Sequence, residues 1–87
     1  MRFEDITKKH PEKFIIMLPV LRNTETNKPI TFKVLQTCDT EKECEKAMDY
    51  YDLEGFENVI PVPNFTRAKK LNPKYIARMF RVMYGTA

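Results

Sequence analysis

The sequence predicts an α+β fold, built as one small domain with the element order (α)ββαβα. We expect a three-stranded mixed sheet, a capped crossover helix and an amphipathic, basic C-terminal helix. Three observations lead to this class: two neighbouring segments with strand character, a helix-capping sequence after them, and helical periodicity in the last segment. A chain of 87 residues is short enough for residues 1–87 to form a single domain.

The first predicted elements are a short helix and a buried strand. Residues 3–10 can form a helix with Phe3 and Ile6 on its inner face. Residues 13–21 are apolar on both faces, which predicts a central strand that is covered from both sides. Pro19 cannot donate a ladder hydrogen bond, so we expect a bulge or the end of pairing there.

A second strand is predicted to pair with the first as an antiparallel hairpin. The polar residues 22–28 have the composition of a turn, and Pro29 opens the strand that follows. Period-two alternation puts Lys33 on one face and the apolar side chains on the other: Ile30, Phe32, Val34 and Cys38.

The crossover helix is predicted from its cap. It begins after Asp39 or Thr40, and Thr40 with Glu43 forms a capping box, in which the two side chains satisfy free backbone amides. Its buried stripe has helical spacing and comprises Cys44, Ala47, Met48 and Tyr51. Gly55 is a natural helix stop.

A short third strand is predicted over residues 56–62. Pro61 and Pro63 favour an edge position or an early exit from the sheet, because proline has no backbone N–H to donate to a ladder. The predicted core of the domain consists of Phe14, Ile16, Leu18, Ile30, Phe32, Val34, Ala47, Met48, Tyr51, Val59 and Ile60.

The last element is a helix over about residues 73–84. Asn72 can cap it, Pro73 suits its first position and Gly85 ends it. Its apolar stripe comprises Ile76, Met79, Phe80 and Met83, and its cations Lys74, Arg78 and Arg81 fall on the opposite side.

Charge divides the chain into an acidic body, residues 1–63, and a basic segment, residues 64–87. The body has nine Lys and Arg against twelve Asp and Glu, whereas the basic segment has six cations and no acid. Those cations are Arg67, Lys69, Lys70, Lys74, Arg78 and Arg81. Asymmetry of this kind is typical of contact with an anionic partner.

Two functions fit this pattern. The leading one is protein–protein interaction, with another protein or by self-association as a dimer, through the stripe of Ile76, Met79, Phe80 and Met83. The alternative is a nucleic-acid-binding accessory protein, in which the six cations contact phosphates while Phe65, Tyr75 and Tyr84 stack on bases. A solvated helix face, partly neutralised by the acidic body, is the third interpretation.

No motif in the sequence indicates catalysis. The chain has no glycine-rich phosphate loop, no G-x-S-x-G, no H-E-x-x-H and no C-x-x-C. The one histidine, His10, fits a solvated position near a helix end. Interleaved Lys42 and Lys46 indicate an exposed, salt-bridged face for the acidic side chains Glu41, Glu45, Asp49 and Asp52. We predict no enzyme activity, no cofactor, no metal ion and no small-molecule substrate.

Cysteine use and hydropathy indicate a cytoplasmic protein. Cys38 and Cys44 lack the paired spacing of zinc ligands, and we expect them to be reduced and buried. The first residues lack the apolar core of a signal peptide. The apolar run over residues 14–21 is far shorter than the ~20 residues that span a bilayer, so no membrane span is expected.

Overall fold

The elements of the chain follow one another in the predicted order. The computed structural model describes residues 1–84, and the stop predicted at Gly85 lies outside them. The elements are α1 (Phe3–Lys9), β1 (Lys13–Arg22), β2 (Pro29–Cys38), α2 (Glu41–Leu53), β3 (Ile60–Asn64) and α3 (Pro73–Tyr84).

The three strands form one sheet in the order β2-β1-β3. This confirms the α+β class and the central position of the apolar strand β1. The prediction of a mixed sheet was wrong, since β1 pairs antiparallel with both of its neighbours. The crossover through α2 makes β2 and β3 run in the same direction, but β1 separates them, so no parallel pair forms.

The β1–β2 ladder has three irregularities, and the first of them sets which side chains of β2 face which side of the sheet. Between the pairs Ile16↔Gln36 and Met17↔Val34, Leu35 has no partner and bulges out of β2. The bulge shifts the alternation by one residue. Cys38 therefore lies on the opposite face from Val34, and the prediction that one face carries both was wrong.

The second irregularity confirms the interpretation of the proline in β1. The register shifts between Pro19 and Leu21, where the partners are Phe32 and Thr31. The extra residue, Val20, is mostly exposed. A proline at this point removes one donor from the ladder, and the bulge accommodates that loss.

Local signals define α2 and the start of β3. The hydroxyl oxygen of Thr40 accepts a hydrogen bond from the amide of Glu43, as the capping box predicts. Gly55 follows the helix with φ of +88°, a conformation that favours glycine. β3 begins at Ile60, four residues later than predicted, and it lies at the sheet edge as its prolines indicate.

Two clusters of buried side chains lie on the two faces of the sheet. The first, beneath α2, consists of Phe14, Ile16, Cys38, Cys44, Ala47, Met48, Val59, Leu71 and Tyr75. The second, beneath α1, consists of Ile6, Ile15, Met17, Phe32, Ile60 and Val82. Both faces of β1 are therefore buried, which explains its unbroken apolar run.

Most of the predicted core is buried. Four of its side chains are only half-buried: Leu18, Ile30, Val34 and Tyr51. The strand periodicity also omitted Ile15 and Met17, which are fully buried on the second face of β1. The core prediction followed one face of each strand, and the doubly covered β1 fills both.

Candidate functional site

The helix α3 crosses the sheet edge and joins the two faces. Tyr75, near its start, belongs to the first cluster, and Val82, near its end, belongs to the second. Met79 contacts both clusters. The face that packs on the core is therefore the Tyr75–Val82 face, and the stripe predicted as a partner interface is not the main core-packing face.

The predicted stripe is divided by this orientation. Met79 and Met83 are half-buried, between the core-packing face of α3 and its exposed face. Ile76 and Phe80 are solvent-exposed. Phe80 is 57% exposed and Tyr84, one helical turn further on, is 56% exposed. The outer face of α3 is thus apolar at its centre.

A shallow apolar groove runs along this outer face. It has a volume of about 190 Å³ and is lined by Met79, Phe80, Met83 and Tyr84. The rings of Phe80 and Tyr84 stack with centroids 5.6 Å apart at an interplanar angle of 17°. Ring stacking holds the two aromatic side chains in one orientation, so this side of the groove has a fixed shape.

Arg78 fixes the middle of α3 to the end of α2. Its guanidinium donates two hydrogen bonds to the carboxylate of Asp52, at 2.8 and 3.2 Å, and a longer one to the Val59 carbonyl, at 3.4 Å. Only 17% of the Arg78 side chain is exposed. The Arg78 charge, which the sequence pattern assigned to phosphate contacts, is thus paired within the fold.

Tyr75 makes a second connection between these helices. Its hydroxyl lies 3.4 Å from the Asp49 carboxylate, and its ring is buried. Asp49 and Asp52 thus both face α3. Among residues 1–84, neither Lys42 nor Lys46 forms an ion pair with the acidic side chains of α2, so the predicted salt-bridged face was wrong.

The end of α3 is fixed by a residue that the sequence pattern assigned only to a turn. One guanidinium nitrogen of Arg22 donates to the carbonyl of Val82, at 3.0 Å, and to that of Asn27, at 2.8 Å. A cation at the C-terminus of a helix satisfies a free carbonyl and complements the helix dipole. No local signal reveals this role, since 60 residues separate Arg22 from Val82.

The six cations of the basic segment do not form one continuous patch. Lys69 and Lys70 line a pocket near the start of α2 together with Asp39 and Glu41. Arg78 and Arg81 line a polar cleft of about 480 Å³ near the other end, together with Asp52, Phe56, Glu57 and Asn58. The two ends of the 13-residue helix α2 are about 18 Å apart at 1.5 Å per residue. Each pair of cations therefore shares its pocket with carboxylates.

The aromatic side chains expected to stack on bases are mostly engaged elsewhere. Tyr75 is 1% exposed, which rules out stacking on a ligand. The Phe65 ring packs edge-on against Phe14, with centroids 4.8 Å apart, and Tyr84 stacks on Phe80. Cations of the basic segment line separate pockets, and the aromatic rings already pack against other side chains. Both observations weaken the nucleic-acid alternative relative to the protein-interaction one.

The remaining polar features give little basis for chemistry. Cys38 and Cys44 are free and buried, as expected. Burial raises the pKa of Cys44 to about 12, which makes it a poor nucleophile near neutral pH. Among residues 1–84, no group of three or more Cys, His, Asp or Glu side chains could hold a metal ion.

We expect the free energy of unfolding to fall as the pH rises above about 10. Burial, together with the Asp49 and Asp52 carboxylates, raises the pKa of Tyr75 to about 12 from its ordinary value of 10.0. Between pH 10 and about pH 12 the unfolded chain loses the Tyr75 proton while the folded chain keeps it. The free energy of unfolding therefore decreases as the pH rises through this range. Urea titrations from pH 8 to pH 11 should show a shallower alkaline decline for Tyr75→Phe.

Tyr50→Phe is the matched control for this measurement. Tyr50 is 57% exposed on α2, so its replacement should leave the alkaline decline as steep as in the original protein. Equal slopes for Tyr75→Phe and Tyr50→Phe would contradict the assignment.

Comparison with known proteins leaves the site to be interpreted from its geometry. The chain matches no family model, no curated protein and no solved structure. Within the part of the chain that the structure describes, no helix combines the length and the apolar composition needed to cross a membrane.

Proposed function

We propose that the protein is a small intracellular, non-enzymatic domain that binds a helical segment of another protein through the outer face of α3. The observation that carries this proposal is the exposed apolar groove of Met79, Phe80, Met83 and Tyr84. An apolar groove of this kind fits the recurring mode in which a partner helix places side chains at i, i+3, i+4 and i+7 against it.

The exposure of these side chains is not required by the fold. The core is already closed by Tyr75 and Val82 on the inner face of α3, at 1% and 2% exposure. Phe80 and Tyr84 add nothing to that core, yet together they present a rigid aromatic surface to solvent. Aromatic side chains that are already held in one orientation lose little conformational entropy on binding. Such side chains are typical of the centre of a protein interface.

The test is a titration with a neutral probe. A synthetic amphipathic helix with leucine on one face and glutamine on the other is added to ¹⁵N-labelled protein. We expect chemical-shift changes concentrated in α3, and we expect Phe80→Glu to abolish them because a buried charge would replace an apolar anchor. A scrambled peptide of the same composition should cause no such changes.

Leu53→Glu is the matched control variant. Leu53 is 88% exposed at the end of α2, so the variant carries the same new charge away from the groove. It should bind the neutral peptide like the original protein. Loss of binding in both variants, or shift changes that avoid α3, would contradict the proposal.

Self-association is a separate prediction for the same surface. If the groove takes a second copy of the chain, light scattering at tens of micromolar should give a mass above one chain, and Phe80→Glu should restore the mass of one chain. Met79→Glu is unsuitable for this purpose, because Met79 packs against both core clusters and its replacement would perturb the fold. A mass of one chain together with no peptide binding would refute a docking role for α3.

A further inference from the structure

The charges beside the groove distinguish between classes of partner. The helix α3 carries Lys74, Arg78 and Arg81 and no acidic side chain. Arg78 is neutralised by Asp52. Within residues 1–84, neither Lys74 nor Arg81 has a carboxylate oxygen within 4.0 Å. Lys74 Nζ lies 4.8 Å from the centroid of the Tyr75 ring, and Arg81 lines the cleft that also contains Asp52 and Glu57. Neither charge is neutralised by an ion pair among the described residues, so both can pair with a partner's carboxylates.

Helix geometry places the two cations in a row along one side of the apolar surface. Lys74 and Arg81 are seven residues apart, which puts them on nearly the same line, about 10.5 Å apart along the axis at 1.5 Å per residue. At 100° per residue this line lies about 100–120° around the helix from Phe80 and about 60–80° from Tyr84. The spacing of two helical turns matches the spacing of residues i and i+7 on a partner helix.

The opposite side of the groove is closed by the fold itself. Met79 and Met83 pack against the second core cluster, as do the partly buried side chains of Phe3, Val34 and Val62. A ligand in the groove therefore has an apolar wall of the domain on one side and a row of cations on the other.

This arrangement disfavours a symmetric pair of α3 helices as the occupant. In a two-fold dimer the same surface of each copy forms the interface. The cations beside the groove of each copy would therefore lie at the edge of that interface. In a parallel pair each row of cations would lie beside the apolar Met79 and Met83 side of the other copy, where α3 offers no carboxylate. In an antiparallel pair Lys74 and Arg81 of the two copies would lie on the same side of the interface, with no acid on either helix to compensate. Like charges placed together at an interface oppose association.

We propose that the groove on α3 takes an acidic amphipathic helix of a different protein. The partner's apolar side chains fill the groove of Met79, Phe80, Met83 and Tyr84, and carboxylates along one of its edges pair with Lys74 and Arg81. This inference rests on the proposed function and specifies the chemistry of the partner at the same site. Charge at the rim of the interface supplies selectivity and faster association, while the apolar groove supplies most of the affinity.

The test compares three synthetic helices that share a leucine face. Their polar faces carry glutamate, glutamine or lysine, and binding is followed by amide chemical shifts in α3 of the full chain. Two solvent-exposed ion pairs should make the glutamate helix bind roughly three- to tenfold more tightly than the glutamine helix. The lysine helix should bind more weakly than both. Raising the salt concentration from about 50 mM to about 500 mM should remove most of the difference.

Charge reversal on the protein gives the decisive variant. Lys74→Glu combined with Arg81→Glu should reverse the order, so that the lysine helix binds best and the glutamate helix worst. Both side chains are exposed, so the fold should be retained, and circular dichroism checks this. Lys42→Glu combined with Lys46→Glu, on the exposed part of α2, is the matched control and should leave the order of the peptides unchanged.

The outcomes separate this inference from the proposed function. Equal binding of the glutamate and glutamine helices at α3 would overturn the acidic partner and leave a protein-docking function in place. A mass above one chain that Phe80→Glu reduces to one chain would make a second copy the occupant, and would also overturn it. If none of the three helices perturbs α3, both the inference and the proposed function fail.

Discussion

Phe32→Ala should cost roughly 3–5 kcal/mol of unfolding free energy, enough to unfold most of a domain this small. Phe32 is 3% exposed in the second core cluster, and its ring packs edge-on against Phe3 with centroids 6.0 Å apart. Truncation removes the apolar area and leaves a cavity that the rigid strands cannot close.

The backbone around Phe32 makes this substitution a clean probe of the side chain. The Phe32 amide donates to the Met1 carbonyl at 2.7 Å, and the Phe32 carbonyl accepts from the Met1 nitrogen at 3.0 Å. Neither bond depends on the ring. The measured loss should therefore report on core packing rather than on strand pairing.

Lys33→Ala is the matched control on the same strand. Lys33 is the next residue of β2 and is exposed on the other side, so its truncation should cost well under 1 kcal/mol. Urea denaturation followed by circular dichroism measures both variants. Equal losses would mean that the register of β2 beside Pro19 and Leu18 is incorrect.

Arg78→Ala should cost about 1.5–3 kcal/mol, whereas Arg81→Ala should cost less than about 0.5 kcal/mol. The difference arises because Arg78 donates to both carboxylate oxygens of Asp52 and to the Val59 carbonyl. Removing its guanidinium leaves the Asp52 carboxylate, whose side chain is 31% exposed, without its hydrogen-bonded partner. Arg81 is exposed and lies outside the ion pairs of residues 1–84.

A double-mutant cycle isolates the pair. Arg78→Ala, Asp52→Ala and the double variant should show a coupling energy of about 1 kcal/mol or more, since the two residues share one hydrogen-bonded contact. Arg78→Lys should recover only part of the loss, because lysine cannot donate in a fork to both oxygens. Additive losses in the cycle would show that the pair contributes no stability of its own.

Local chemistry in the sequence was sufficient to predict the positions of α2 and α3 and the central strand β1. The Thr40–Glu43 capping box and Gly55 placed α2 correctly. Asn72 and Pro73 did the same for α3, where the Asn72 side chain accepts from the amide of Lys74. Caps and stops act within a few residues along the chain, so they can be recognised in a single sequence. The apolar run of β1 likewise predicted its central position, because burial on both faces leaves no alternation.

The orientation of α3 required the tertiary structure. The apolar side chains of the helix cover about 220° of its circumference at 100° per residue, so its periodicity allowed either the Ile76–Phe80 side or the Tyr75–Val82 side to face the core. Contacts with distant residues decided between them: Asp52 binds Arg78 and Arg22 binds Val82. Such contacts join residues far apart in sequence, and no local pattern encodes them.

The candidate site was accordingly predictable only in part. The sequence identified the apolar and basic character of residues 73–84, and Phe80 and Met83 do line the groove. It could not show that Arg78 is held within the fold, nor that Lys69 and Lys70 lie near one end of α2 and Arg81 near the other. Composition determined the chemistry of the surface. Packing of α3 across the sheet edge decided which of those side chains remained exposed, because burial depends on what each side chain meets in space.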